Sequence, residues 1–286
     1  MKYDFIRSQR THYKVAVTCR GLEVSRSGYY DRFNRSESVR DKRHKELIIK
    51  IRQIHIESRK IYGSPCIHGE PVERGERIGK NTVAYLMWKA DIQFKVHKRF
   101  VVTTDSRRTK KPADNLIKGS FTTDRANHKW AADVTFIATG KGRLYLSAIM
   151  DLYSRVIIGW SMGERNSTEL VADALKMAVL NRGDLKGVIL HSDQGVHAST
   201  SYQQHLAAFG IICGMSRKGN CRDNAPMKSF FHSLKTERID FEDYKNRSED
   251  RTSLFSYIEL FYNRVRRHSA LANRSPMAFE NSGGVS

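Results

Sequence analysis

Residues 130–162, WAADVTFIATGKGRLYLSAIMDLYSRVIIGWSM, contain three short apolar runs separated by turn-forming residues. The runs WAADVTFIAT, LYLSAIMD and RVIIGWSM are rich in β-branched and aromatic residues, which predicts three strands. Gly140, Gly142 and Ser154 lie in the short connections between the runs, and connections of this length indicate hairpins. The stretch therefore predicts three strands that are linked by hairpins.

Helical and strand-like segments alternate after this stretch. Residues 167–181 predict a helix, residues 187–193 (GVILHSD) predict a buried strand, and residues 201–209 predict a second helix. A short strand at 211–215 and a helix at 224–238 complete the order β-β-β-α-β-α-β-α. This order predicts an α/β fold, a mixed sheet flanked by helices in the ribonuclease-H-like arrangement.

Two helical regions are predicted before the sheet. Residues 14–33 indicate two short helices, with Ser25 or Ser27 as the cap of the second. This pattern is shared by a helix-turn-helix and by a plain helical hairpin. Residues 38–58 predict a long amphipathic helix with one face dense in Lys and Arg.

A second helix-turn-helix is indicated next. Two helices with a glycine-bearing turn are expected, and Lys80–Lys89 is the candidate recognition helix, with Asn81 as its capping signal. A solvated helix face is the alternative for its basic residues. Pro71 conflicts with the first of these helices, because an interior proline costs roughly 3 kcal/mol. We expect the helix either to break there or to be weakened.

These patterns divide the chain into four regions. Residues 1–60 form a helical or helix-turn-helix region, residues 61–98 a second helix-turn-helix unit, residues 99–122 a basic linker, and residues 123–286 the region of the predicted sheet with a carboxyl-terminal helix. Residues 1–120 hold 28 Lys and Arg against 13 Asp and Glu, whereas the remainder holds 22 against 17. Such charge favours a polyanion as the partner of the amino-terminal half, with a merely soluble basic surface as the alternative.

Composition excludes several classes of protein. The 286 residues are 40% hydrophobic, which is inconsistent with a disordered chain. No apolar run approaches the roughly 18 residues of a membrane span, and the first ten residues do not resemble a signal peptide, so a cytoplasmic protein is expected. The four scattered cysteines indicate reduced thiols and no structural zinc site.

Two acids are candidates for metal ligands. Asp133 lies inside the first predicted strand, where an isolated carboxylate is unfavourable unless it is paired or binds a metal. Asp193 lies at the carboxyl end of a predicted strand, where ligand sites of such sheets collect. Together the two carboxylates suit Mg²⁺ or Mn²⁺. Taken singly, each has an alternative as a cap or a surface ion pair.

Several motifs resemble a known family. The sequence is similar to OrfB-type transposases of bacterial insertion sequences, which belong to the DDE group related to retroviral integrases. The likeness covers almost the whole chain and is carried by YGSPCIHGE (62–70), DVTFIATGKGRLYLSAIMDLYSRVIIGWSM (133–162), HSDQG (191–195), MSRKGNCRDNAPMKSFFHSLKTE (215–237) and YIELFYNRVRRHSALANRSPMAFE (257–280).

The resemblance implies DNA cleavage and strand transfer at the ends of an insertion sequence. Two Mg²⁺ or Mn²⁺ ions held by three carboxylates would stabilise the attacking and leaving oxygens. Asp133 matches the first acid and Asp193 the second, but the third, a glutamate, falls at Lys228. The resemblance also implies DNA ends and target DNA as ligands, a multimer, and fusion to a product of an upstream reading frame.

Lys228 is the most consequential departure from the family. It removes oxygen ligands and adds a positive charge, so catalytic impairment is expected. Glu237 and Asp223 are the nearest acids, but they fall about 180° and 140° away around the helix, and Asp223 is expected to cap it. Further departures are Cys66, Pro71, Arg143, Arg222 and a loop after Asp193 that is one residue shorter.

Two functions follow from these observations. One is a transposase with impaired catalysis, and the other is a non-catalytic DNA-binding protein that acts as a dominant-negative partner of active transposases. Both require DNA contacts, for which a solvated surface charge is the alternative in each case. The candidates are Lys80, Lys89, Arg217, Lys218, Lys235, Arg264, Arg266 and Arg267.

Overall fold

The computed structural model describes most of the chain. The described residues are 1–34, 36–73, 75–93, 115–117, 119–139, 142–183, 185–216, 221–241 and 247–283. Within these ranges, no helix is both long and apolar enough to cross a lipid bilayer. Three cysteine side chains lie in the described part, and all three are free thiols, which are Cys19, Cys66 and Cys213.

Eleven α-helices and five strands are found in the described ranges. The helices are α1 (Lys2–Ser8), α2 (Val15–Gly21), α3 (Arg26–Asn34), α4 (Val39–Glu57), α5 (Ser64–Glu73), α6 (Lys80–Lys89), α7 (Thr168–Arg182), α8 (Thr200–Ala208), α9 (Ala225–Glu237), α10 (Arg247–Phe255) and α11 (Pro276–Asn281). The strands are β1 (Lys129–Thr139), β2 (Gly142–Asp151), β3 (Ile157–Gly163), β4 (Ile189–Ser192) and β5 (Ile212–Met215). A π-helical segment, Ser256–Tyr262, continues from α10.

The five strands form one mixed sheet in the order β3-β2-β1-β4-β5. The pairs β1–β2 and β2–β3 are antiparallel, whereas β4 is parallel to both β1 and β5. The three hairpin-linked strands thus form one side of the sheet, and the strands that follow helices α7 and α8 form the other. This is the predicted ribonuclease-H-like arrangement, and the predicted fold class is confirmed.

Each face of the sheet covers a separate apolar core. Trp130 and Ala132 point into one core, which α7 and α8 cover. Ala131 and Ile137 point into the other, which contains α9 and the π-helical segment. Because successive side chains of a strand alternate between faces, Asp133 lies on the α9 side of the sheet.

Helices α1–α3 form a small unit with a core of their own. Ile6, Cys19 and Tyr29 are buried there together. Ser25, one of the two predicted caps, accepts a hydrogen bond from the Gly28 backbone nitrogen at 2.9 Å. The two short helices predicted for residues 14–33 are confirmed.

Helices α4–α6 pack against the α9 side of the sheet. Ile51 of α4, Ile67 of α5 and Leu86 of α6 are fully buried in the same apolar cluster as Ala131 and Phe230. This continuous packing between the helical region and the sheet was not predicted from the sequence. The helices themselves were predicted, because their apolar residues recur at helical spacing.

Of the two outcomes expected at Pro71, a break in the helix is not found, and two predicted helix caps were wrong. Helix α5 runs through the buried Pro71 and ends only at Glu73, because a proline near the last turn removes a single backbone hydrogen bond. Asn81 is not a cap, since α6 begins at Lys80 and its N-cap is Gly79 in an extended conformation. Asp223 does not cap α9, because the N-cap is Asn224 and Asp223 instead accepts a hydrogen bond from Asn115 at 3.0 Å.

Candidate active site

Asp133 occupies the middle of the central strand. It lies opposite Ala148 of β2 and is partly buried beneath α9. Its Oδ1 atom accepts a hydrogen bond from the Val134 backbone nitrogen at 2.9 Å. The strand therefore presents one carboxylate on the α9 side, in otherwise apolar surroundings.

Asp193 follows directly after β4, the parallel neighbour of β1. Because Trp130 pairs with Leu190 and Ala131 with His191, continuing the register places Asp193 beside Asp133 at the same end of the two strands. The Asp193 side chain is 54% exposed. The strand pairing therefore places the two acids next to each other, as predicted.

Lys228 reaches the acid pair from α9. Asn224, which precedes the helix, is buried and donates a side-chain hydrogen bond to the Ala132 carbonyl oxygen at 3.0 Å. This bond fixes the start of α9 over β1, one turn before Lys228. The ammonium group is exposed, and its positive charge acts on both Asp133 and Asp193.

The two carboxyl groups have different pKa values. Burial, followed by the negative charge of Asp193, raises the pKa of Asp133 to about 7. Burial alone would also raise the pKa of Asp193, but the hydrogen bond and charge of His197, with a smaller contribution from Lys228, lower it. The acid pair therefore carries less than two full negative charges at neutral pH.

His197 and Asn224 are site residues that sequence reasoning missed. The Nδ1 atom of His197 donates to Asp193 Oδ1 at 3.1 Å, and the Gly195 backbone nitrogen donates to the same oxygen at 3.2 Å. His197 is fully buried and packs edge-on against Tyr202, with 5.3 Å between ring centroids. The only signal in the sequence was a histidine four residues after the acid.

The donor set does not fit the pair of divalent metal ions that the family resemblance implies. Two carboxylates can bind one hard cation, but a lysine ammonium has no lone pair to donate and repels a metal. Within the described part of the chain, no three His, Cys, Asp or Glu side chains are grouped so that they could hold a metal ion. The residues do not fit two metal ions because Lys228 stands where the family resemblance places a glutamate.

The predicted DNA contacts fall into four groups. Lys80, Lys89 and Arg264 are exposed. Lys235 is half-buried, with its Nζ atom 5.3 Å from the Phe136 ring centroid. Burial lowers the pKa of Lys235, although Asp240 and Asp133 oppose this effect. Two further candidates, Arg217 and Lys218, lie outside the described residues.

The remaining candidates, Arg266 and Arg267, are paired inside the protein. Arg266 forms an ion pair with Glu237 at 2.6 Å, and Arg267 forms ion pairs with Glu70 and Glu73, each at 2.7 Å. Their side chains are only 19% and 10% exposed. These contacts give both arginines partners within the protein, and their role in phosphate binding stays a prediction.

The other departures from the family pattern are locally accommodated. The Arg143 guanidinium lies 5.1 Å from the Phe136 ring centroid, on a ring that Lys235 also contacts. Cys66 is half-buried, and burial raises the pKa of its thiol. The side chain of Arg222 lies outside the described residues.

Comparison with protein families gives three matches. Residues 123–221 and 228–283 match two families that are each described as "Integrase core domain", and residues 42–100 match "HTH-like domain". The first of these matches includes Asp133 and Asp193, and the second begins at Lys228. The matches cover both the sheet and helices α4–α6.

Individual relatives extend the likeness to nearly the full length. The chain is 39% identical to the "Insertion element IS600 uncharacterized 31 kDa protein" of Shigella sonnei, over 91% of this chain and 96% of that protein. It is 36% identical to the "Transposase InsF for insertion sequence IS3A" of Escherichia coli K12, over 98% and 99% of the two chains.

Solved structures show weaker similarity. A chain of the simian T-cell lymphotropic virus intasome in complex with PP2A regulatory subunit B56 gamma matches with a TM-score of 0.47 and 12% identity, over 80% of this chain and 73% of that chain. The HTLV-2 integrase catalytic core domain in complex with magnesium matches with a TM-score of 0.40 and 15% identity, over 55% and 97%.

Proposed function

This chain belongs to the integrase-core transposases of bacterial insertion sequences, and from that membership we propose that it binds DNA but is impaired in DNA cleavage and strand transfer. Members of this family are polynucleotidyl transferases. The observation that carries the proposal is Lys228, whose positive charge acts on both candidate metal ligands, Asp133 and Asp193.

Electrostatics supports the proposed impairment. The charge of Lys228 acts to lower the pKa of both carboxyl groups, which means that it favours their ionised forms. An ammonium group that attracts the two carboxylates competes with a divalent cation for them and also repels that cation. Glutamate at the same position would instead add two oxygen ligands of the kind that Mg²⁺ and Mn²⁺ prefer.

Neither of the nearby acids replaces the missing ligand. The Glu237 carboxylate accepts hydrogen bonds from Arg266 and from the Tyr257 hydroxyl at 2.6 Å. Asp223 is buried and accepts from the Asn115 side chain. Both carboxylates are already engaged, and recruiting either one would require α9 to be rebuilt.

DNA binding is the function that Lys228 leaves intact. Helix α6 buries Val83, Leu86 and Met87 and exposes the opposite face, with basic side chains at both of its ends. A helix-turn-helix with such a face suits the major groove, where basic residues position the helix on phosphates. The formal net charge of +20 favours the same ligand.

The metal claim is tested by titrating Mn²⁺ into the unaltered chain and into Lys228→Glu. We expect Mn²⁺ to raise the melting temperature of Lys228→Glu by several degrees, because a ligand that binds the native state stabilises it. We expect no such shift for the unaltered chain. The control Lys228→Glu with Asp133→Asn should lose the shift, and an Asp133-dependent shift in the unaltered chain would overturn the proposal.

The DNA claim is tested by measuring affinity against salt concentration without metal. Trp88, which is 78% exposed on α6, offers a fluorescence signal for the bound state. We expect log K to fall linearly with log[salt], with a slope of about −0.9 per phosphate neutralised. Replacing Lys80 and Lys89 by Met should make the slope shallower by about two, whereas affinity independent of salt would contradict the claim.

A non-catalytic partner role is the second candidate. The supporting observation is that Lys228 is exposed while its neighbours Met227 and Phe231 are buried, so the substitution leaves the packing of α9 intact. A folded but inactive chain can occupy a place in a multimer. Co-expression with an active relative should then lower that relative's transposition frequency, and Lys228→Glu should lower it less. An unchanged frequency would rule out this role.

A further inference from the structure

The guanidinium group of Arg267 joins the carboxyl-terminal segment to helix α5. Arg267 follows the π-helical segment and donates from Nε to Glu70 Oε1 at 2.7 Å. Its two terminal nitrogens donate to the two carboxylate oxygens of Glu73, each at 2.7 Å. Parallel paired hydrogen bonds of this kind are both strong and specific in direction. The Arg267 and Glu70 side chains are only 10% and 23% exposed, so solvent screens their contact less than the contact with Glu73, which is 54% exposed.

Two further side chains, those of Tyr62 and Arg59, also form hydrogen bonds with the carboxyl-terminal segment. The buried Tyr62 hydroxyl donates to the Val265 carbonyl oxygen at 3.1 Å and accepts from the Arg267 backbone nitrogen at 2.9 Å. Arg59 donates to the Ser256 hydroxyl at 3.1 Å, and its guanidinium lies 5.3 Å from the Phe261 ring centroid. The contact is thus a connected polar network at the edge of a shared apolar core.

The network bears directly on the position of α6. Glu70 and Glu73 lie on α5, and Ile67 of α5 is buried in the same cluster as Val83 and Leu86 of α6. The opposite face of α6 is exposed. Contacts that hold α5 against the carboxyl-terminal segment therefore also determine the position of the exposed face of α6.

The covalent connection cannot fix this position by its length. About 40 residues separate the end of α6 from the start of β1, and a chain of that length can span as much as ~130 Å when extended. Within the described residues, side-chain contacts restrain where α6 lies relative to the acid site. The Arg267 hydrogen bonds are among them, and they join α5 to the carboxyl-terminal segment.

We propose that Arg267, through Glu70 and Glu73, is a positioning residue that holds α6 at a fixed place relative to the site formed by Asp133 and Asp193. The inference rests on the proposed function in one respect, that α6 faces DNA. Its consequence is that one DNA end is held by α6 and by the integrase core at a set spacing. The clamp, defined as Arg267, Glu70 and Glu73, is therefore a determinant of the spacing between these two DNA contacts.

Hydrogen exchange of the full chain without metal or DNA tests the clamp. In Arg267→Met, we expect the amides of α5 and α6 to exchange at least tenfold faster than in the unaltered chain, whereas those of β1 keep their rates. Arg165→Met removes the same charge from an exposed loop and is the matched control, for which no change is expected. Unchanged exchange in α5 and α6 of Arg267→Met, or equal acceleration in β1, would overturn the proposal.

Charge reversal separates a specific clamp from general loss of stability. Glu73→Arg and Arg267→Glu should each accelerate exchange in α5 and α6, and the double variant should regain part of the protection, because Glu70 still faces a carboxylate at position 267. Glu73 is 54% exposed, so Glu73→Gln should fold and give a smaller effect in the same direction. A double variant no better protected than the single ones would contradict the clamp.

A hydroxyl-radical footprint on DNA then tests the spacing. We expect the unaltered chain to protect two tracts at a fixed separation, and Arg267→Met to retain the α6 tract while losing the second. Two intact tracts in Arg267→Met would overturn the positioning role. Failure of the unaltered chain to bind DNA at all would instead refute the proposed function, while the exchange result would still decide whether the clamp exists.

Discussion

At the scale of single residues, three elements bring two acids and a lysine into one site. Asp133 comes from β1, Asp193 from the residue after β4, and Lys228 from α9. The sequence predicted their meeting, because the strand patterns fixed the face and end of the sheet on which the acids lie. It did not predict His197, because a contact from an irregular segment back to an acid four residues earlier leaves no periodic signature.

The second surprise at this scale is the inward pairing of basic residues. Arg266 and Arg267 were predicted to contact phosphate, since consecutive arginines near a terminus resemble a DNA-binding patch. Their partners, Glu237, Glu70 and Glu73, are 29 or more residues away in the sequence. The sequence shows that such charges are present, but their partners can be identified only from the fold.

His268 makes stability depend on pH. Burial, followed by the charges of Arg266 and Arg155, lowers its pKa to about 3. Its Nε2 atom lies 3.3 Å from Arg266 Nη1, a donor that favours a neutral ring. Between a pH of about 6.5 and one of about 3, the unfolded chain therefore binds the proton that the folded chain excludes, so stability falls as the pH falls.

We predict that His268→Gln removes this dependence. Lowering the pH from 7.5 to 5.5 should destabilise the unaltered chain by roughly 1 kcal/mol more than it destabilises the variant, because one pKa unit corresponds to about 1.4 kcal/mol. Urea denaturation of both proteins at the two pH values measures the difference. Equal losses of unfolding free energy would show that His268 is not the responsible group.

At the scale of secondary structure, the five strands and helices α7, α8 and α9 were predicted to within a few residues, whereas α10 was not predicted. Alternating or continuous apolar runs identified β1–β5, and helical spacing identified α7 and α9. The errors concern helix starts, where Asn81 and Asp223 were chosen as caps by residue type. A cap depends on backbone conformation at one residue, and Gly79 and Asn224 hold those positions instead.

The packing of β3 against α7 depends on a glycine. A Cβ atom at Gly159 would overlap the Ala174 carbonyl oxygen and lie 2.7 Å from the Ala178 backbone nitrogen. Both obstacles are backbone atoms of α7, so relief requires the helix to move. The close approach is why α7 covers this face of the sheet with small residues.

We predict that Gly159→Ala lowers the free energy of unfolding by about 2 kcal/mol or more, as overpacking does when the backbone must shift. Gly21→Ala is the control, because a Cβ there meets nothing within 4 Å and alanine favours a helix. It should be neutral or stabilising. Chemical denaturation of both variants measures the contrast, and a neutral Gly159→Ala would contradict the close packing.

At the scale of the whole molecule, the helical region and the integrase core share one apolar cluster and one polar network. The sequence indicated separate units joined by a basic linker, and nothing local in residues 62–73 signals an attachment to residues 256–267. Contacts between segments about 200 residues apart are visible only in three dimensions. If α6 binds DNA as proposed, this arrangement would couple that binding to the position of the acid site.

The same arrangement separates binding from chemistry. Lys228 changes the charge of the acid site but lies on the exposed side of α9. Affinity for DNA and capacity for strand transfer are therefore expected to vary independently in this chain. The family resemblance predicts both properties together, whereas the residues of this chain favour only the first.

The most direct test is a strand-transfer assay with Mn²⁺ and DNA that carries insertion-sequence ends. The unaltered chain, its Asp133→Asn variant and the Lys228→Glu variant are compared at equal DNA occupancy. We predict no joined product from the unaltered chain above the level of Asp133→Asn, and joined product from Lys228→Glu. Product from the unaltered chain that disappears in Asp133→Asn would contradict the claim that Lys228 impairs the chemistry.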